Sequence, residues 1–286
     1  MSWLFFIQFY RMNVCLNGAF FPANTPLIVV QNRCYKWGDG VFETLRVFRG
    51  QVLLEELHFE RLFSSLLLLE IGKDETFTRD TLTTHMLQLA AANNCLHHAR
   101  IRLAVYRTEE GKAGYTIEAV PLTEDPTQWQ KEGLTITLYP FARKSMDAFA
   151  NLKSANFLPY VLAQRYAAEK QCDDAIVLNA QNYLCDSSRA NIFLVRGRNI
   201  FTPALHQGCV NGVMRRVVIE EGKKLGYRVL PDVVEEEQML AAEEVFLTNA
   251  IQGIRWVEAY KHTTYGCSQT RQLFEMGKAT IFKGLC

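Results

Sequence analysis

The sequence predicts a chain in two parts, an α+β first half followed by a mixed α/β second half. Residues 13–53 contain short β-rich runs separated by turns, and two segments with helical spacing and two further strands follow them. From residue 134 onward strands and helices alternate, but the strand spacing is too irregular for a doubly wound sheet. A polar, turn-rich stretch at residues 126–133 is the best candidate linker between the halves.

In the first half, strands are expected where β-branched and aromatic residues stand between turn signals, and helices where apolar residues recur every three or four positions. Asn17-Gly18 and Arg49-Gly50 are hairpin-turn signals. The predicted strands are Val14–Leu16, Leu27–Val30, Val41–Phe48, Gln51–Leu54, Ala99–Tyr106 and Tyr115–Pro121, and the predicted helices are Leu57–Leu69 and Thr78–Asn93.

The same patterns continue in the second half. The predicted strands are Leu134–Tyr139, Asp174–Asn179, Ala190–Val195, Asn199–Phe201, Tyr227–Leu230 and Glu244–Thr248, and the predicted helices are Leu158–Gln171, Arg215–Leu225 and Glu235–Ala242. We therefore expect an N-terminal α+β domain at 1–125, the linker at 126–133 and a C-terminal α/β domain at 134–286. Met12 reads like a second start of the chain, so residues 1–11 are expected to come from an upstream start codon.

Composition excludes several classes of protein. Of the 286 residues, 49% are hydrophobic and 21% charged, which is typical of a globular protein, and a net charge of +1 gives no strong field for nucleic acid. Eight cysteines without a C-x-x-C pair indicate a reduced, cytoplasmic protein and no metal site. No apolar run reaches the roughly 18 residues that span a bilayer. A small-molecule substrate is expected.

Two stretches could carry chemistry. Lys153 lies between a predicted strand and a predicted helix among small and apolar neighbours, where a desolvated lysine could form a Schiff base, although an ordinary surface lysine has the same pattern. The glycines of 208–216 precede a predicted helix, whose N-terminus could bind an anion or could be a simple helix start.

Three further side chains are candidates with ordinary alternatives. Asp186 stands at a turn between two strands, where aspartate is also a common structural residue. His58 and Arg61 share one helix face, and an inward-facing arginine would bind an anion, whereas an outward-facing one would pair with a neighbouring glutamate.

In combination and in order along the chain, these stretches resemble the class IV aminotransferases. Residues 33–44 are similar to the family's arginine, aromatic, Gly-Asp-Gly and Phe-Glu motif, and 58–62 to its His-x-x-Arg-Leu. Further matches are Lys153, the Asn-hydrophobic-Phe motif at 191–193, the glycine turn at 212–215 and the loop at 246–250. The resemblance implies a two-domain fold-type IV enzyme, similar to the D-amino-acid aminotransferases, with a C-terminal pseudo-barrel and its active site at the domain interface.

The resemblance also implies pyridoxal 5′-phosphate (PLP) as cofactor and gives roles to individual residues. Lys153 would form the Schiff base and act as general base. Asp186 would pair with the cofactor's ring nitrogen, where the family has a glutamate one methylene longer. The other residues expected to bind the cofactor are Arg61, Asn191, Gly212, Val213, Met214 and Asn249, with Met214 replacing the family's usual threonine.

Within the family, the motifs at 211–215 and 248–254 look more like aminodeoxychorismate lyases than branched-chain or D-amino-acid transaminases. The implied reaction is a β-elimination that gives 4-aminobenzoate and pyruvate, and transamination is the alternative. A catalytically inactive PLP- or partner-binding homologue is a third possibility, motivated by Asp186 and Met214. Tyr35 and Arg107 are the favoured residues for the substrate carboxylate, with Arg102 and Lys112 as further candidates. Relatives are dimers, so a homodimer is expected.

Overall fold

Two structural units divide residues 12–285, the part of the chain that this computed structural model describes. The predicted extension at residues 1–11 lies outside the described residues. The first unit contains the described residues up to Glu124 together with Lys153–Asn156, and the second contains Asp125–Leu152 and the described residues from Phe157 onward. The predicted boundaries differ from this division at one point, since they put Lys153–Asn156 in the second domain.

The first unit is an antiparallel sheet covered by helices. Its sheet has six strands in the order β2-β1-β6-β5-β3-β4. Alternate residues of the long strands pack against two amphipathic helices, with Leu45 and Leu103 meeting Leu62 and Met86 in one apolar core. The elements are β1 Asn13–Leu16, β2 Ala19–Pro22, α1 Arg33–Trp37, β3 Gly40–Phe48, β4 Gln51–Val52, α2 Glu55–Leu68, α3 Arg79–Ala92, β5 His98–Arg107 and β6 Ala113–Pro121.

The second unit is built on a mixed sheet of nine strands. Eight of them follow the order β12-β11-β10-β13-β14-β7-β8-β9, and β15 pairs with β14. The elements are β7 Leu134–Lys144, α4 Leu158–Glu169, β8 Asp174–Asn179, β9 Leu184–Ser187, β10 Asn191–Arg196, β11 Asn199–Pro203, α5 Val213–Lys224, β12 Arg228–Asp232, α6 Glu236–Leu240, β13 Glu244–Asn249, β14 Gly253–Tyr260, β15 Thr263–Thr264 and α7 Ser268–Ile281.

The predicted order of an α+β and a mixed α/β half is confirmed, and one predicted strand is wrong. Leu27–Val30 is irregular, and Val29 and Val30 are 65% and 74% exposed, so their β-branched side chains have no sheet to pack on. The sequence patterns did not indicate the short helix α1, the strands β2, β9, β14 and β15, or the C-terminal helix α7. Within residues 12–285, no helix combines the length and the apolar character needed to cross a bilayer.

Candidate active site

Lys153 is held by main-chain hydrogen bonds to the start of β3. The amide of Phe42 donates to the carbonyl of Lys153 at 2.9 Å, the amide of Ala155 donates to the carbonyl of Gly40 at 2.9 Å, and Val41 forms a bridge with Ser154. This pairing explains why the segment belongs to the first unit. A reactive side chain on an irregular segment needs such a rigid support, and the sheet provides it.

The aromatic ring of Phe42 carries two cations of this unit. Lys153 Nζ lies 4.5 Å from the ring centroid and Arg102 Cζ lies 3.9 Å from it. Phe42 itself is buried, and Arg102 is partly buried in β5, where desolvation lowers the pKa of its guanidinium. The expected lysine therefore lies beside a guanidinium, and both pack on the face of one aromatic ring.

On the other face of β3, Glu43 is paired with two basic side chains of α2. Its carboxylate is 2.7 Å from His58 Nδ1 and accepts hydrogen bonds from Arg61 Nε at 2.7 Å and Arg61 Nη2 at 2.5 Å. Burial alone would raise the pKa of Glu43, but the charge of Arg61 and the hydrogen bonds from His58 and Arg61 outweigh it and lower the pKa to about 2. Arg61 thus faces inward, and its pairing with the nearby Glu55 or Glu56 is not what the structure shows.

Arg107, expected to bind a substrate carboxylate, joins the end of β5 to the end of α2. Its guanidinium donates to Asp39 at 3.0 Å and to the carbonyls of Leu69 and Glu70 at 2.6 and 2.8 Å. Asp39 also accepts from Arg33 at 2.8 Å. These contacts give Arg107 a structural role, and its substrate role stays a prediction.

The Gly-Asp-Gly motif containing Asp39 is a tight turn. Gly38 has φ +66, and a Cβ there would lie 2.2 Å from Asn156 Oδ1, so only glycine fits between α1 and the lysine segment. Tyr35, the other predicted substrate residue, lies in α1 and is exposed. Its contact with substrate also stays a prediction.

In the second unit, Asp186 is a buried carboxylate at the end of β9, 2% exposed, with donors on both oxygens. Oδ2 accepts from Tyr160 Oη at 2.8 Å, from the amide of Val210 at 3.0 Å and from Lys144 Nζ at 3.2 Å, while Oδ1 accepts from Asn191 Nδ2 at 2.8 Å. Burial and the adjacent carboxylate raise the pKa of Tyr160 well above its usual value, so its hydroxyl remains a donor.

Asn191 connects Asp186 with the glycine-led start of α5. Its Nδ2 also donates to the carbonyl of Val210 at 2.8 Å, and a Cβ on Gly212 would lie 1.9 Å from its Oδ1. Gly212 is the N-cap of α5, and no side chain caps that end. The first amides of the helix, those of Val213 and Met214 among them, therefore form a positively polarised end without a side-chain acceptor.

The loop after β13 is shaped by Asn249. Its Oδ1 accepts from the amides of Ile251 and Gln252 at 2.9 and 2.7 Å, which closes the turn into β14. The preceding Thr248 lies opposite Asn191 in the sheet, and its buried Oγ1 has no hydrogen-bond partner among the described residues. A buried hydroxyl of this kind is costly unless something pairs with it.

The sequence matches a known protein family over most of its length. The family model for amino-transferase class IV matches residues 40–260. The chain belongs to this family. It is therefore a PLP-dependent enzyme, as the motifs predicted, and its mixed α/β fold is that of the fold-type IV aminotransferases.

The relatives are of several kinds. The chain is 26% identical over 263 residues to the aminodeoxychorismate lyase of Bacillus subtilis, covering 88% of each chain. It is 25% identical over 263 residues to the D-alanine aminotransferase of Bacillus licheniformis, covering 89% of this chain and 90% of that one. The structure of the branched-chain aminotransferase of Thermoproteus uzoniensis superposes with a TM-score of 0.83 at 23% identity, covering 96% of each chain.

The residues present fit a phosphorylated pyridine cofactor. The uncapped start of α5, the partnerless Thr248 hydroxyl and the close approach at Gly212 suit a phosphate group, and the buried carboxylate of Asp186 suits a protonated ring nitrogen.

Sequence reasoning missed three side chains of these sets. Tyr160 and Lys144 donate to Asp186 from positions 26 and 42 residues away in the chain, and no spacing rule connects them to it. Thr248 lay within the loop motif at 246–250, so the motif could have indicated it.

Proposed function

We propose that this class IV enzyme is an aminodeoxychorismate lyase that releases 4-aminobenzoate and pyruvate by β-elimination, a reaction that belongs to folate biosynthesis. The observation that carries the proposal is the start of α5. Residues 211–215, which resemble the lyase motif, form a glycine-led helix end where Met214 offers only its main-chain amide, whereas the family's usual threonine would add a hydroxyl.

We assign cofactor binding to both sets of residues. The phosphate is bound by the amides of Val213 and Met214, the hydroxyl of Thr248 and the charge of Arg61, and the ring nitrogen is held by Asp186. When bound, PLP supplies an electron sink for the substrate carbon that loses its proton. Asn191 binds indirectly, since it fixes both Asp186 and the carbonyl of Val210.

Lys153 does the acid–base work in this proposal. Its Nζ carries the cofactor between turnovers, and after exchange with the substrate amine it accepts the substrate's proton as general base. The hydrogen bonds that tie its segment to β3 keep this nitrogen in place during the transfer. Phe42 packs against the ammonium on one side and so reduces its contact with water.

The substrate carboxylate is assigned to Arg102 in preference to Arg107. The contacts found for the Arg102 guanidinium within the described residues are the Phe42 ring and the charges of Glu118 and its neighbours, whereas that of Arg107 donates to Asp39 and two carbonyls. A partly buried guanidinium beside the reactive lysine is suited to bind a carboxylate. Arg102→Gln should raise KM about tenfold, and Arg100→Gln, two residues away on the same strand face and exposed, should not.

Transamination of a branched-chain or D-amino acid is the second candidate, supported by the similarity to the D-alanine aminotransferase. Both reactions begin with loss of a proton to Lys153. They differ in the next step, since a transaminase lysine returns that proton to the cofactor, whereas a lyase substrate loses its β-substituent.

The deciding experiment incubates PLP-loaded protein with enzymatically generated aminodeoxychorismate and, separately, with D-alanine, L-glutamate or L-leucine plus 2-oxoglutarate. We expect 4-aminobenzoate and pyruvate from the first mixture. Lys153→Ala should abolish this activity, and Lys131→Ala, an exposed lysine of the second unit, should retain it. A new amino acid without 4-aminobenzoate would establish the transaminase, and no product from any mixture would indicate a non-catalytic homologue.

We further infer a homodimer located in the cytoplasm. Three apolar side chains of the second unit, Phe141, Leu158 and Val161, are 75%, 64% and 49% exposed. Exposed apolar side chains of this size are typical of a surface that another chain covers. Sedimentation equilibrium of the loaded protein should give twice the mass of the chain, and a single-chain mass would contradict the inference.

A further inference from the structure

Lys144, the last residue of β7, has no assigned part in the chemistry above, yet it is built into the Asp186 site. Its Nζ lies 3.2 Å from Asp186 Oδ2, and the two side chains are only 11% and 3% exposed. The same ammonium lies 5.3 Å from the centroid of the Tyr160 ring, whose hydroxyl donates to the same oxygen. A buried carboxylate is stable as an anion only when a cation or several donors compensate it, and Lys144 supplies the cation.

The donors of Asp186 are divided unequally between its oxygens. Oδ2 accepts from Tyr160, Val210 and Lys144, whereas Oδ1 accepts from Asn191 alone among the nitrogen and oxygen donors of the described residues. A carboxylate oxygen offers about two accepting positions. Oδ2 is therefore filled, and Oδ1 can accept one further donor.

We propose that Lys144 is a positioning residue of the ring-nitrogen site: it occupies Oδ2, so that Oδ1 receives the cofactor's ring nitrogen, and it shares the carboxylate's negative charge with that ring. This inference rests on the proposed role of Asp186. It assigns to Lys144 a control over how strongly the site favours a protonated ring, which is the property that makes the ring an electron sink.

The charge of Lys144 matters more than its hydrogen bond. Without Lys144, the hydroxyl of Tyr160, the amide of Val210 and Asn191 still orient the carboxylate, because all three are neutral donors that do not depend on it. The negative charge would then lack its cation, and a protonated ring nitrogen would become its counter-charge. Removing Lys144 is therefore expected to strengthen the preference for a ring that carries a proton.

The test compares two cofactors that differ only at this atom, PLP and its 1-deaza analogue, in which a C–H group replaces the ring nitrogen. Both bind through the phosphate and Lys153, so those contributions cancel in the ratio of their dissociation constants. We expect Lys144→Met to raise the preference for PLP over the analogue about tenfold, the smaller end of the effect of a nearby charge in a buried site. Lys144→Arg, which keeps the charge, should retain the original ratio.

Two controls make the outcome decisive. Lys170→Met removes another lysine that lies over a tyrosine ring, that of Tyr166 at 5.5 Å, in the same unit, and should not change the ratio. Lys144→Gln takes the place of Lys144→Met if the latter does not fold. Asp186→Asn is made in the Lys144→Gln background, so that no buried charge is left unpaired, and should remove the preference for PLP.

An unchanged or lowered ratio in Lys144→Met, with the preference lost in the Asp186→Asn variant, would overturn the inference about Lys144 and leave the role of Asp186 intact. A preference that survives Asp186→Asn would instead overturn the assignment of the ring nitrogen to Asp186 in the proposed function. The two failures are distinguishable because only the second involves the carboxylate itself.

Discussion

Replacing Glu43 with glutamine tests the buried ion pairs of the first unit. The pKa of Glu43 falls from 4.5 to about 2 on folding, because Arg61 and His58 stabilise its charged form more than burial opposes it. At about 1.36 kcal/mol for each pKa unit, this difference corresponds to roughly 3 kcal/mol of folding free energy at neutral pH. Glutamine keeps the shape but leaves Arg61, whose side chain is 9% exposed, without its carboxylate. Breaking a buried pair in this way costs a similar amount, about 3–5 kcal/mol.

Urea denaturation of the cofactor-free protein measures this loss. We expect Glu43→Gln to lower the free energy of unfolding by about 3 kcal/mol at neutral pH, seen as a lower midpoint with an unchanged slope. Because the pKa of Glu43 is depressed in the folded state, its contribution is present above pH 4.5 and declines as pH falls towards about 2, so the difference between the proteins should shrink in that range.

Glu56→Gln is the matched control, because Glu56 is exposed in the same helix α2. It should change the free energy of unfolding by less than about 0.5 kcal/mol. A loss below about 1 kcal/mol in Glu43→Gln would refute the reasoning, since the carboxylate would then be replaceable by a neutral amide. The double variant Glu43→Gln/Arg61→Met should lose less than the sum of the single variants, because no unpaired charge remains.

Three further predictions concern other residues of the two sets. Burial, opposed by Glu43, lowers the pKa of His58 below 6.5, so stability should fall as pH drops below about 6.5; urea midpoints in wild type and His58→Phe should diverge there, and parallel curves would contradict it. Gly212→Ala places a Cβ 1.9 Å from Asn191 Oδ1 and should weaken PLP binding about tenfold in a fluorescence titration, whereas Gly277→Ala, with its nearest contact at 3.6 Å, should not. Arg107→Gln should lower the free energy of unfolding by about 2 kcal/mol and leave KM unchanged; a raised KM with normal stability would make it the carboxylate residue after all.

Periodicity predicted most of the fold because each unit buries one face of its longer elements. The core positions of β5 alternate and those of α2 recur at helical spacing, and both patterns are visible in the sequence. The strand predicted at Leu27–Val30 has the same composition but is largely exposed, so composition without a partner strand misled the prediction. The short strand β2 is the opposite case, since it is paired along its whole length with β1 although its residues are mostly exposed.

Family motifs predicted the candidate site residues but not their partners. The motifs indicated Arg61 and Asp186, and their nearest charged partners in space are Glu43 and Lys144, which lie on other strands. The motif at residues 33–44 contains Glu43, so that residue was visible, but its hydrogen bonds to α2 depend on which face of β3 the helix covers. That choice is made by the packing of the whole sheet, which spacing along the chain does not encode.

The two departures from the family pattern, Asp186 and Met214, are each accommodated within the second unit. A shorter carboxylate reaches less far, but Tyr160, Val210, Lys144 and Asn191 hold Asp186 from four directions, so its position does not depend on side-chain length alone. Methionine in place of threonine removes a hydroxyl, while the amides at the start of α5 and the partnerless Thr248 hydroxyl remain. Neither exchange removes the charge or the donors that the cofactor requires, which argues for a working enzyme and against an inactive homologue.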